Sequence, residues 1–240
     1  VAERERSDQS RSHRAVTARN PNAWSVLGKE LPAGGENCMP MPSVMRTFVA
    51  VPISRHTAEA LSEIRKSFRA HDEQIRWAPP HQYHITLKFL GDVERSKAPE
   101  IVEAVRSAAT RGALALAFQG VGAFPDWRRP RVIGSRVTDG AGELTELARA
   151  VQSAIAAVVP PVGGEAPFFP HVTLGRIKSR QAPEGLYESA LRCSDVRVGP
   201  EVIDRVVVYE SRLSPRGAVH LELESVPLGP AAGRADESRN

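Results

Sequence analysis

The tetrapeptide His84-Ile85-Thr86-Leu87 returns as His171-Val172-Thr173-Leu174, 87 residues further along a chain of 240. In an extended strand successive side chains point to opposite faces, so His84 and Thr86 share one face while Ile85 and Leu87 share the other. His171 and Thr173 follow the same rule. Each strand then sets a titratable imidazole beside a hydroxyl on one side and packs apolar residues on the other. Two such strands facing each other would make a symmetric acid/base site.

Working outward, the pattern alternates between strand and helix. Arg46 to Pro52 begins abruptly as a strand, and Thr57 to Ala70 places Leu61, Ile64 and Phe68 on one helical stripe with Thr57 available as its cap. Gln82 to Leu90 is the first motif strand. Pro99 to Thr110 predicts a helix, Leu114 to Gly120 and Arg131 to Val137 predict strands, and a long amphipathic stripe runs from Leu144 to Val158. A Pro- and Gly-rich loop, Pro160 to Pro167, precedes the second motif strand, and a short helix follows around Pro183 to Leu191. Val202 to Tyr209 and Ala218 to Val226 finish the chain as an antiparallel pair. Each motif thus sits among its own strands and two helices. The expected fold is α+β and bilobed: two pseudo-symmetric antiparallel-sheet lobes with outer helices and a central cleft, where the site is expected.

The ends differ from this core. Residues 1–44 are rich in Arg, Ser, Glu, Asn, Gly and Pro without apolar periodicity, which predicts a disordered N-terminal extension before a folded domain spanning 45–228. Either Met45 is the true initiator or the extension is a disordered basic arm. Residues 229–240 have the same tail-like composition. An apolar content of 41% supplies a core, and a formal net charge of +4 suits a polyanionic substrate without demanding one. Cys38 and Cys193, far apart, argue against a disulfide framework. No run of about 18 apolar residues and no secretory leader is found, so no membrane association and a cytoplasmic location are expected.

Two imidazoles with near-neutral pKa can divide the work, one as base and one as acid, each role contributing roughly 10²- to 10⁴-fold. Phosphodiester hydrolysis fits. The base takes a proton from water, the water attacks phosphorus in line, and the acid protonates the departing alkoxide. No metal or other cofactor is required. Thr86 and Thr173 would hold the non-bridging oxygens, and Arg176, near the strand end, would add a bidentate phosphate contact.

A lone strand histidine is more often structural than catalytic, a strand threonine often reflects β-propensity, and Arg176 could be a solvated strand-end charge. Two matched copies reverse that weighting for the histidines. Trp77, Trp127, Phe168 and Phe169 could stack on bases, but such residues more often pack a core or lid. Arg128-Arg129-Pro130-Arg131 reads as a solvated loop. A metal site is disfavoured because His81 and His84 would need a helix that the strand pattern contradicts. Neither a Gly-x-Ser-x-Gly elbow nor a Gly-x-x-x-x-Gly-Lys loop is present.

These residues resemble the 2H phosphoesterases, named for two His-x-Thr motifs, and among them the RNA 2′,3′-cyclic phosphodiesterases, also called 2′-5′ RNA ligases. The resemblance runs from Met45 to about Leu228. It takes in Met45-Arg46-Thr47-Phe48-Val49-Ala50-Val51-Pro52, Arg76-Trp77-Ala78-Pro79-Pro80, both His-x-Thr-Leu stretches, Gly122-Ala123-Phe124-Pro125, Arg129-Pro130-Arg131-Val132 and Tyr209-Glu210-Ser211-Arg212-Leu213. It implies hydrolysis of a terminal 2′,3′-cyclic phosphate to a 2′-phosphate without metal, with His84 as proton donor to the leaving 3′ oxygen and His171 as the base activating water. Spacing alone does not assign those roles. The expected partner is RNA with a 2′,3′-cyclic phosphate end or a small cyclic nucleotide; the expected state is a monomer, and reversible 2′-5′ RNA joining is an expected side reaction of the same site. The competing readings are a phosphodiesterase of small cyclic phosphates and a non-catalytic nucleotide- or RNA-binding module.

Overall fold

A computed structural model describes residues 43–160, 167–179, 181–214 and 217–229. All of the expected extension except Ser43 and Val44 lies outside these residues, as do most of the Pro/Gly loop and the tail beyond Gly229. In chain order the elements are β1 (Val44–Pro52), α1 (Arg55–Ser62) with a 3-10 continuation (Glu63–His71), β2 (Ile75–Trp77), β3 (His84–Glu94), α2 (Ala98–Ala108), β4 (Leu114–Phe124), β5 (Val132–Val137), α3 (Ala141–Ala156), β6 (His171–Ile177), α4 (Leu186–Leu191), β7 (Arg197–Ile203), β8 (Arg205–Ser214) and β9 (Gly217–Pro227). They form two sheets, ordered β3-β1-β8-β9 and β2-β6-β5-β4-β7. Every strand pair is antiparallel. The expected α+β class with two antiparallel sheets and helices is what is found.

The alternation that predicted the motif strands is realised in the packing. Ile85, Leu87, Val172 and Leu174 are buried in one core shared by both sheets, together with Leu61, Ile64 and Phe68 from the first helical stripe and Leu144, Leu147, Val151 and Ile155 from α3. Removing the apolar face of either motif strand would leave a cavity costing about 2–5 kcal/mol per large side chain. The two strands are placed differently, however. β3 is an edge, whereas β6 lies between β2 and β5. β7 is also an edge, which is where Pro200 can stand without removing a ladder hydrogen bond.

Two local expectations need correction. Thr57 does not cap α1: Ser54 does, its side chain accepting from the Thr57 amide at 3.3 Å. Thr57 is buried instead, donating its hydroxyl to Glu201 at 2.5 Å, and the same carboxylate accepts from the Ser54 amide and hydroxyl at 2.7 Å each. The carboxylate anchors the start of the helix to β7, where negative charge is favourable. The predicted strand Val202 to Tyr209 is really two strands. It breaks at Asp204, with Ile203 in one sheet and Arg205 in the other. No Gly or Pro marks the break, and Asp204 is the one turn-favouring residue between two strand-forming stretches.

Candidate active site

His84 and His171 each open a strand and are held in the same way. The Nδ1 of His84 donates to the carbonyl of Gln82 at 2.8 Å, and the Nδ1 of His171 to the carbonyl of Phe169 at 2.7 Å. A carbonyl only accepts, so Nδ1 carries the hydrogen in both rings and Nε2 is left for chemistry. Each ring also lies on a phenylalanine. His84 stacks on Phe48 with centroids 5.0 Å apart, and His171 on Phe124 at 4.0 Å. Those partners come from β1 and β4, far away in sequence. Gly134 makes the second stack possible: a Cβ there would come within 2.8 Å of His171 Cδ2 and 2.9 Å of the Val172 carbonyl oxygen.

β3 and β6 lie against each other, and the histidines they carry share one electrostatic neighbourhood. Burial pushes His84 down to about 4; its Gln82 bond opposes that shift, while the charges of His220, Arg176 and His171 add to it. Burial likewise lowers His171, against the Phe169 bond and with Arg176. Both imidazoles are therefore neutral at pH 7. A bound phosphate anion offsets Arg176 and brings protonation back within reach.

Thr173 shares the His171 face as expected, its hydroxyl donating to Nε2 at 3.4 Å. Thr86 is half-buried on the His84 face, opposite Ala50. Arg176 reaches the site by a route that spacing did not foresee. Five residues from His171, it would face away in a regular strand. A β-bulge intervenes: Gly134 pairs with Thr173 and Ile133 with Gly175, leaving Leu174 extra. The burial pattern of β6 shifts accordingly, Leu174 and Gly175 both being buried and Arg176 exposed. The extra residue reverses the parity and returns Arg176 to the histidine side.

No sequence pattern pointed to His220. It stands on β9, the opposite edge of its sheet from β3, yet its ring meets His84 edge-on at 5.5 Å and Phe48 at 4.9 Å. Edge strands three ladder steps apart would be separated by roughly 14 Å in a flat sheet. Here side chains bridge the gap: both imidazoles reach Phe48, and the side-chain amide of Gln82 donates to the Ala218 carbonyl at 3.0 Å. The Nδ1 of His220 is buried and finds no hydrogen-bond partner among the described residues. Its neighbour Tyr209, raised first by burial and then by Glu222, remains a phenol that donates to that carboxylate at 3.4 Å.

The other aromatic candidates divide. Trp77 is structural, donating its indole N–H to Asp72 at 2.6 Å and packing on Phe68. Trp127 packs on Tyr187, and Phe168 against the core. Phe169 alone stands by the site, 6.2 Å from Phe124. The amides of Arg128 and Arg129 donate to Asp126 in an exposed turn. Among the described residues there is no cluster of three or more His, Cys, Asp or Glu arranged to hold a metal. Nor is any helix there long and apolar enough to cross a membrane. Cys193 is buried with a free thiol.

Residues 51–134 match the family of LigT-like phosphoesterases. An RNA 2′,3′-cyclic phosphodiesterase of Aquifex aeolicus is 31% identical over 78% of this chain and 98% of its own length, and one of Archaeoglobus fulgidus is 32% identical over 75% and 98%. Among solved structures, TT0787 of Thermus thermophilus is 27% identical with a TM-score of 0.65, covering 78% of this chain and 99% of its own. Escherichia coli LigT, crystallised with 3′-AMP, shares the fold at 21% identity and a TM-score of 0.61, over 77% and 98%. The chain belongs to the RNA 2′,3′-cyclic phosphodiesterase family.

Proposed function

We propose that this chain hydrolyses 2′,3′-cyclic phosphate ends of RNA to 2′-phosphates, with His171 as base and His84 as acid. The observation that carries the reading is the matched pair of Nδ1–carbonyl bonds, which leaves two Nε2 atoms in one electrostatic neighbourhood. The substrate class comes from the activity for which the relatives are named. Water attacks phosphorus in line with the P–O3′ bond, giving its proton to Nε2 of His171. As that bond breaks, Nε2 of His84 protonates the departing O3′. Thr86, Thr173 and Arg176 hold the non-bridging oxygens while charge moves across them. The acid takes its proton from solvent as the substrate binds, because the phosphate anion counters the Arg176 charge that favours the neutral imidazole.

The test is an oligonucleotide ending in a 2′,3′-cyclic phosphate. The expected product is the 2′-phosphate, formed at the same rate in the presence of chelator. His84→Ala and His171→Ala should each lose roughly 10²- to 10⁴-fold in kcat. A rate abolished by EDTA, a 3′-phosphate product, or near-wild-type turnover by either variant overturns the reading.

A further inference from the structure

β2 is short and carries one charged residue, Arg76, between Ile75 and Trp77. Ile75 belongs to the buried core and Trp77 packs against it, so strand alternation turns Arg76 to the other face of the sheet. There it stands directly across the ladder from Arg176, while Ile75 pairs with Ile177 and Trp77 with Gly175. Residues paired in this way share a face, and for Arg176 the bulge in β6 makes that the face of His171 and Thr173. Gly175 is what lets the two strands meet: a Cβ there would come within 2.7 Å of Ile75 Cγ2 and 3.0 Å of Trp77 Cε3. Two exposed guanidiniums are thereby set side by side at the edge of the sheet.

Like charges in directly opposed positions of a ladder are destabilising. A carboxylate would relieve the pair, yet neither guanidinium has a hydrogen-bond or ion-pair partner among the described residues. The carboxylate of Asp72, just before β2, is taken by Arg65 at 3.1 Å and by the Trp77 indole at 2.6 Å. A third cation adds to the excess, because the Lys178 ammonium donates to the Glu73 carbonyl at 2.7 Å and is held at the same end of the two strands. A phosphate from solution offsets such a pair, and guanidinium is the side chain best shaped to take it.

Arg176 already serves the reacting phosphate in the function proposed above, and Arg76 lies one ladder step away from it. Adjacent strands stand about 4.8 Å apart, and the long arginine stems let the two heads spread further. We infer that Arg76 holds the phosphate on the 5′ side of the terminal nucleoside, so that the site reads two consecutive phosphates and favours the end of an RNA chain over a free cyclic mononucleotide. The inference rests on the proposed function and deepens it: Arg176 takes the phosphate that reacts, and Arg76 takes the one that does not.

Calorimetry on the whole chain tests this with adenosine 2′-monophosphate and adenosine 2′,5′-bisphosphate, which differ in the second phosphate. The wild type should bind the bisphosphate roughly tenfold tighter, as one charge-assisted contact gives. Arg76→Gln should bring that ratio close to one, and Arg76→Lys, which keeps the charge without the fork, should retain part of it. Arg149→Gln, on the exposed face of α3, should leave the ratio whole. On an RNA ending in a 2′-phosphate, Arg76→Gln should also lower the double-logarithmic salt slope of binding by about 0.7, the share of one contact on a single strand. A bisphosphate no tighter than the monophosphate, or the same loss of ratio in Arg149→Gln, overturns the second phosphate site. So does an Arg76→Gln effect equal on both ligands, which would place both arginines on one phosphate. Failure of the monophosphate itself to bind, together with no turnover of a cyclic end, would instead overturn the function on which the site rests.

Discussion

The half-site of His84 and the half-site of His171 share a plan and differ in their surroundings. Both rings give Nδ1–H to a carbonyl two residues back and lie on a phenylalanine. Around His84 stands a third imidazole at 5.5 Å, on an edge strand; around His171 stands a threonine hydroxyl at 3.4 Å from Nε2, on a strand flanked from both sides. The carbonyl two residues before each motif therefore fixes the tautomer, and the neighbours fix how readily each ring takes a proton. Closely similar motifs thus place their two imidazoles in different surroundings.

The largest effect that would break this comparison concerns the leaving atom. Replacing O3′ by sulfur gives a leaving group that needs no proton, so the roughly 10²- to 10⁴-fold loss in His84→Ala should largely disappear with that substrate while the loss in His171→Ala persists. If sulfur rescues His171→Ala instead, the two roles are reversed. Next comes Gly134→Ala, whose methyl would strike the His171 ring and the Val172 carbonyl. Displacing a reacting group by about 1 Å costs on the order of 10²-fold, and kcat should fall accordingly while the His84 ring resonances stay unmoved. Arg176→Gln should weaken nucleoside 2′-monophosphate binding by roughly tenfold or more, as the loss of a charge-assisted contact requires, and should raise the pKa of both motif histidines in an NMR titration.

His220→Gln sharpens the asymmetry. The charge of His220 lowers His84, whereas burial and Arg176 lower His171, so removing His220 should raise the His84 pKa and spare His171. An equal shift at both rings would dissolve the distinction between the half-sites. The smallest effect is on stability. An unfolded histidine binds its proton below about 6.5, whereas folded His84 waits until about 4, so across that window the unfolded state holds more protons and stability rises with pH. Chemical denaturation at pH 4.5 and 6.5 should show this slope, and His84→Asn should flatten it.

How much of this was legible follows from the range of the interactions. The faces of Ile85, Leu87, Val172 and Leu174 depend only on strand alternation, and they were readable. So were the two antiparallel sheets with their helices. Arg176 was placed near the phosphate by chemistry, but its orientation hangs on a bulge that depends on how β5 meets β6. Phe48, Phe124 and His220 arrive from strands whose order in the sheets no local pattern encodes. Thr57 looked like a cap because threonine often is one; the Glu201 carboxylate, 144 residues away, claimed its hydroxyl. The division at Asp204 was hidden because both of its flanks are strand.

Gln82 spans two jobs with one residue: its main chain steers the imidazole of His84, and its side chain grips the backbone of β9 at Ala218. The hairpin of β8 and β9 is thereby joined, through one residue, to the carbonyl that orients the His84 ring. Gln82→Ala is the clutch in this linkage: it leaves the carbonyl that steers the ring and releases the grip on the hairpin.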